Sequence, residues 1–148
     1  MKEEQLQVFI EGTKYFFSTF AGQQVDVGVP YLVSSDTKVA FDYTGIIGIA
    51  GARKGCVYFS APGRLLAKLL QALGEDDLED DNLCDVVGEV ANTVSGNARR
   101  DLGPEFVISV PVIVKGQLED IKLPREIRSF VIPITWGQDK AALVICLE

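Results

Sequence analysis

The chain has 148 residues, 47% of them apolar and 24% charged, with a net charge of −7 and a pI near 4.6. That size and balance predict a single globular domain, 1–148, with a core of its own, and the acidic balance opposes binding to nucleic-acid phosphates. No apolar run nears the ~20 residues of a membrane span, no apolar leader opens the chain, and histidine is absent, which excludes Ser-His-Asp and Cys-His nucleophile systems and every His-ligated metal site.

Three cysteines, Cys56, Cys84 and Cys146, share no CxxC spacing and leave one unpaired whatever happens. They read as buried free thiols in a reducing cytoplasm. Neither GxxxxGK[ST] nor GxGxxG occurs. Chemistry on this chain must therefore run on carboxylates, amides and backbone groups, or be borrowed from a partner.

In chain order, Lys2–Phe20 predicts a first helix, with Leu6, Phe9, Ile10, Thr13, Phe16, Phe17 and Phe20 at helical spacing and Ala21-Gly22 as its stop. Gln24–Val33 alternates as a strand, interrupted at Pro30, which places that end at a sheet edge or bulge. A turn at Ser34-Ser35-Asp36 leads to three expected strands, Thr37–Tyr43, Gly45–Gly51 and Gly55–Phe59. Gly63–Leu73 is a short helix burying Leu65, Leu66, Leu69 and Leu70. The acidic stretch 74–81, GEDDLEDD, reads as a solvated connector whose carboxylates favour the N-terminus of the next helix. Its spacing does not fit a calcium loop. Asn82–Leu102 is one long amphipathic helix stopped by Gly103-Pro104, followed by a strand over Glu105–Lys115 with a proline inside it and a loop over Gly116–Glu126. Ile127–Trp136 and Ala141–Leu147 close the chain as strands joined through Gly137-Gln138-Asp139, with Trp136 in the core or an interface.

The halves repeat, roughly 1–62 and 80–148, with the short helix 63–73 between them. Val25–Val33 lies over Phe106–Val114 with Pro30 on Pro111, and the same register puts Gly22 on Gly103. The expected fold is α+β: a pseudo-two-fold repeat of helix plus antiparallel β meander, with two long helices packed on the sheet.

The long helix has two faces. At about 100° per residue, Leu83, Val86, Val87, Val90, Ala91 and Val94 form an apolar stripe, whereas Asp85, Glu89, Asn92, Gly96 and Arg99 gather opposite. Asn97 falls near the edge of the apolar face and reads as structural. Gly88 and Gly96 flank the Glu–Asn pair, although glycine costs a helix roughly 1 kcal/mol against alanine; small residues there would let another molecule come close. In the repeat register Asp85 falls on Glu4, Glu89 on Val8 and Asn92 on Glu11, so the pair exists once. A carboxamide donates and accepts at the same time, which suits holding a water for attack on a phosphoryl group, where positioning outweighs base strength. The carboxylate suits pairing with a cation on whatever carries the phosphate.

Asp85-Val-Val-Gly-Glu89-Val-Ala-Asn92, followed by Pro111 in the next strand, resembles the Asp/Ser-xxx-Glu-xx-Asn…Pro signature of the CheC/CheX/FliY phosphatases, and is most similar to CheX, the type with one site per chain. The similarity in layout extends over nearly the whole chain. The resemblance implies removal of the phosphoryl group from the aspartate of a CheY-like response regulator. Asn92 would orient the attacking water, Glu89 would bridge to the regulator's lysine, and Asp85, Gly88, Gly96 and Arg99 would support docking. It implies no cofactor of the chain's own, with Mg²⁺ carried by the receiver domain, and a homodimer, which would account for sheet edges that no sequence feature blunts. A second reading is a non-catalytic module of the same fold, docking on a receiver domain or a flagellar-switch component through the same helix. A purely structural dimerisation domain would leave the glycine-flanked polar face without a purpose.

Overall fold

The computed structural model describes residues 2–34, 39–51, 53–116 and 128–147. Within them, α1 (Glu3–Tyr15) runs into a wider π turn (Phe16–Phe20), then β1 (Asp26–Val27), β2 (Tyr31–Val33), β3 (Tyr43–Gly51), β4 (Gly55–Ala61), α2 (Gly63–Ala72), α3 (Asp80–Leu102), β5 (Phe106–Ile108), β6 (Val112–Lys115), β7 (Ser129–Trp136) and β8 (Asp139–Leu147) follow. The eight described strands form one antiparallel sheet in the order β1-β7-β8-β4-β3-β5, with β2 also on β7 and β6 also on β3.

The centre of the sheet follows from composition. In β4 (GCVYFSA) and β8 (DKAALVICL) apolar residues run nearly without a break, so both faces of each strand demand cover, and both strands are buried almost throughout. They pair with Cys56 opposite Cys146, Val57 opposite Ile145 and Phe59 opposite Leu143. Toward the helices, Val57, Phe59, Ile132, Leu143 and Ile145 meet Phe9, Phe17, Leu65, Leu66, Leu69, Val87, Val90 and Val94 in one core; burying each such side chain stabilises by roughly 1.5–3 kcal/mol. The far face holds a smaller cluster around Cys56, Tyr58, Val131, Val144 and Cys146, against which Val39, Ala40 and Phe41 pack.

The packing of Val39–Phe41 on that face explains the first difference from the expected elements. Val39–Asp42 is not strand; its backbone is met by side chains, with Ser60 Oγ accepting from Phe41 N at 2.8 Å and Tyr58 OH donating to Val39 O at 2.9 Å. Residues 37 and 38 of that expected strand, most of the expected turn (35 and 36) and nearly all of the expected loop over 116–126 lie outside the described residues. The strands expected over 24–33 and 105–115 are each split, around Pro30 and Pro111, because proline cannot donate to a ladder. The wider turn at the end of α1 carries Phe20 off the apolar stripe, leaving it 53% exposed.

The two halves also do not each form a closed meander. The split strands exchange: β1 and β2, from the first half, pair with β7 of the second, and β5 and β6 pair with β3 of the first. The two-fold relation passes between β4 and β8, whose pairings Val57–Ile145 and Phe59–Leu143 map onto each other. Both sheet edges are therefore short, proline-interrupted segments, so the edges are blunted after all, contrary to the expectation from sequence.

Candidate functional site

The helix α3 lies over β3 and β4 and is held at three places. Its first residue, Asp80, accepts from Lys115 Nζ at 2.6 Å and from the Tyr43 hydroxyl, which ties the helix start to the ends of β6 and β3. The Lys115 ammonium, then the Tyr43 hydroxyl, hold the Asp80 carboxyl below its usual range; the same bond pushes Tyr43 up to about 12. At the middle, Gly45 of β3 and Gly88 of α3 face each other. A Cβ on Gly45 would stand 2.7 Å from Val87 O and 3.0 Å from Gly88 Cα, so only glycine admits this approach of helix to strand. Toward the other end, α1 meets α3 where Gly12 lies against Val94 and Asn97, and Phe9 contacts the Phe106 ring at 6.3 Å.

This mounting fixes which side chains reach solvent. Val86, Val87, Val90, Ala91, Val94, Ser95 and Ala98 are buried. Asp85, Glu89, Asn92 and Arg99 are exposed along the outer face, with Gly96 half-buried among them and open space where its Cβ would be. Glu89 Oε1 accepts a hydrogen bond from Thr93 Oγ1 at 3.1 Å. Among the described residues the Asn92 carboxamide has no hydrogen-bond partner, so its donor and its acceptor both face solvent.

Gly88 departs from its expected role. It is buried, and a Cβ there would lie 2.7 Å from Ile113 Cδ1 and 3.5 Å from Pro111 Cβ. The close approach that Gly88 permits is by the chain's own edge strand, not by a partner, and the same contact explains Pro111: it rests on α3 one residue before Glu89. The expected helix start at Asn82 also moves to Asp80, which makes a member of the acidic connector part of the mounting.

Asn97 is half-buried and accepts from Arg100 Nη2 at 2.7 Å. The groove between α1 and α3, lined by Val8, Glu11, Tyr15, Asn97, Arg100 and Asp101 among others, contains none of Asp85, Glu89 and Asn92. The Glu–Asn pair stands on an outward-facing helix surface. Such a surface cannot enclose a small molecule, but it can enter the cleft of a macromolecule. Among the described residues, no group of three or more carboxylates and thiols could hold a metal ion, and no helix is long and apolar enough to cross a membrane.

Comparison with known proteins gives a consistent picture. The CheX protein of Vibrio vulnificus superposes with a TM-score of 0.83 at 27% identity, covering 98% of this chain and 99% of that one. CheX from Desulfovibrio desulfuricans gives 0.85 at 27% identity, over 98% and 99% of the two chains. The fold also matches, at 0.81 and 18% identity over 99% of each chain, the structure of a CheX–CheY–BeF3–Mg²⁺ complex from Borrelia burgdorferi. No curated protein sequence matches the chain. Residues 43–135, which include β3, β4, all of α3 and the Pro111 edge, match the family described as chemotaxis phosphatase CheX, and to that family this chain belongs.

Proposed function

We propose that this protein hydrolyses the phosphoaspartate of a CheY-like receiver domain, with Asn92 and Glu89 as the residues that act. The observation that carries this reading is the exposed, one-turn-apart Glu–Asn pair, with an unengaged carboxamide, on the scaffold of a chemotaxis phosphatase family. The outer face of α3 would enter the receiver's active site. There the Asn92 carbonyl accepts one proton of a water and its N–H₂ steers the phosphoryl oxygens, so that a water lone pair points at phosphorus. Water attacks, the P–O bond to the aspartate breaks, the carboxylate leaves with the bonding electrons, and the water's proton goes to the released phosphate. The transition state is loose, so orientation suffices and no strong base is needed. Glu89, an anion, meets the receiver's lysine and fixes the angle of entry.

Mg²⁺ belongs to the receiver on this reading and neutralises phosphoryl charge there. The Borrelia complex of CheX with CheY supports the class of partner. The place of action follows from that partner and is the cytoplasm. A homodimer also belongs to this proposal; its support is the rows of exposed apolar side chains along both sheet edges, Val29, Tyr31 and Leu32 on one and Val107, Val110 and Val112 on the other.

The test is single-turnover decay of a phosphorylated receiver domain with the protein in saturating amount. Asn92→Ala is expected to slow decay at least about 100-fold, the order expected when a positioned reactant is released. Glu89→Ala should weaken binding as well as turnover. Glu11→Ala should leave both unchanged, since Glu11 occupies the Asn92 position of the first helix and accepts from Gln7 Nε2 at 2.7 Å. Decay with Asn92→Ala as fast as wild type would remove the catalytic reading in favour of a docking module.

A further inference from the structure

A carboxylate that must meet one cation on a partner works best when it is already aimed, because a free glutamate has rotamers to lose on binding. Glu89 is exposed, and Asp85, a like charge one turn earlier, is on the same face and repels it. What holds Glu89 is Thr93, four residues on, whose Oγ1 donates to Glu89 Oε1 at 3.1 Å. We propose that Thr93 is a positioning residue for the proposed phosphatase site: it fixes the Glu89 carboxylate so that its second oxygen is presented to a cation on the partner.

Three features of the molecule support this role. First, helical side chains lean toward the N-terminus, so Thr93 reaches back over Glu89, and of the two rotamers open to a helical threonine the bond to Glu89 holds one. Thr93 is half-buried, which restricts it further. Second, a helical threonine has an ordinary alternative, donation to the carbonyl four residues back. Thr13 in α1 does that, to Phe9 O at 2.9 Å, whereas the Thr93 hydroxyl goes to the carboxylate instead. Third, in the register of the repeat Glu89 and Thr93 fall on Val8 and Gly12 of α1, where neither partner exists and Gly12 is buried against Val94. The acid and its threonine therefore occur together in one half and are both missing from the other. One Glu89 oxygen is occupied by the threonine, and an ionised carboxylate retains acceptor capacity on the other.

This inference rests on the proposed docking of Glu89 to a receiver, so the experiment reads binding and turnover separately. Thr93→Val keeps the shape and removes the donor; Thr93→Ser keeps the donor. Both are made in the wild-type and the Glu89→Ala backgrounds. The probe is a CheY-type receiver domain with BeF3 and Mg²⁺, titrated by fluorescence anisotropy, together with single-turnover decay of the phosphorylated receiver and a thermal melt of each variant. Thr93→Val is expected to weaken binding about three- to tenfold, with the rate at saturation within about twofold of wild type and no change in melting. Thr93→Ser should recover most of the loss. In the Glu89→Ala background Thr93→Val should change nothing further, because the threonine then has nothing to hold. Wild-type affinity for Thr93→Val, or an undiminished effect without Glu89, overturns the inference. A wild type that binds and does not hydrolyse removes the phosphatase reading while the affinities still decide Thr93. A wild type that does neither removes both.

Discussion

The contact of Gly45 with Gly88 makes a sharp test of how α3 is mounted, because the two glycines meet different kinds of atom. A Cβ on Gly45 would stand 2.7 Å from the Val87 carbonyl oxygen and 3.0 Å from Gly88 Cα, both backbone. Neither can rotate away, so Gly45→Ala must lift the helix off β3. Overpacking costs typically about 1–3 kcal/mol; against two backbone atoms that cannot rotate the upper part of that range applies, about 2–3 kcal/mol, and the alanine returns roughly 0.5–1 kcal/mol through lower backbone entropy in the strand. The net loss is about 1–2.5 kcal/mol, or about 2–10 °C in Tm at roughly 2–4 °C per kcal/mol for a domain of this size. A Cβ on Gly88 would meet Ile113 Cδ1 at the same 2.7 Å, but that atom is the free end of a side chain. A small rotation of Ile113 relieves it, and alanine gains about 1 kcal/mol of helix propensity, so Gly88→Ala should melt within about 3 °C of wild type. Thermal unfolding followed by circular dichroism compares the two directly. Gly45→Ala melting at the wild-type temperature, or Gly88→Ala falling further than Gly45→Ala, would refute this account of the mounting.

Gly96→Leu should keep wild-type stability, since nothing lies within 4 Å of its Cβ position, and should lose receiver binding; a large drop in Tm would show the residue to be packed. Iodoacetamide at pH 8 should modify Cys84 first in the folded protein, because Cys84 is half-buried whereas Cys56 and Cys146 are buried. Burial, then the neighbouring Cys146, pushes the Cys56 thiol up to about 12, and burial raises Cys146 and, with Asp80 beside it, Cys84 as well, so thiolate is scarce at all three and access to the reagent sets the order of labelling. Rapid native labelling of Cys146 would contradict this. Sedimentation at micromolar concentration should give about twice the 16.1 kDa chain mass; a clean monomer would remove the proposed dimer.

Periodicity made α3 legible, because the stripe from Val86 to Val94 and the polar face opposite differ in hydrophobicity at every turn. The same method was blind to Gly88, which carries no side chain and hence no hydrophobic signal, so its inward orientation emerges only with Gly45 and Ile113 in place. Alternation identified segments that pair but not the strands they pair with, and so could not show that β2 belongs to β7 and β6 to β3. Val39–Phe41 has the composition of a strand because it lies on an apolar sheet face, and its backbone is met by Ser60 and Tyr58 rather than by a ladder. Asp80 was hidden in an acidic run that looks uniformly solvated. Its partners, Tyr43 and Lys115, are distant in sequence and are brought together by the β3–β6 pairing.

The exchange of edge strands between the halves bears on how the protein is made. The edge that supports α3 beside Glu89, β6, is hydrogen-bonded to β3 from the first half, and the strand next to β4 at the sheet centre is β8, the last described element of the second. Neither half can therefore finish its own sheet. As the chain leaves the ribosome, α3, β5 and β6 reach β3 and β4 first, but the inner edge of β4 stays unpaired until β8 has emerged, and most of the pairing that closes the core joins residues far apart in sequence, which makes the search slow. Such a waiting intermediate is the species in which two chains could trade halves, each lending its β1 and β2 to the β7 of the other. Dilution during refolding should accordingly favour the self-contained chain, and a concentrated, slowly refolding solution should collect intertwined pairs.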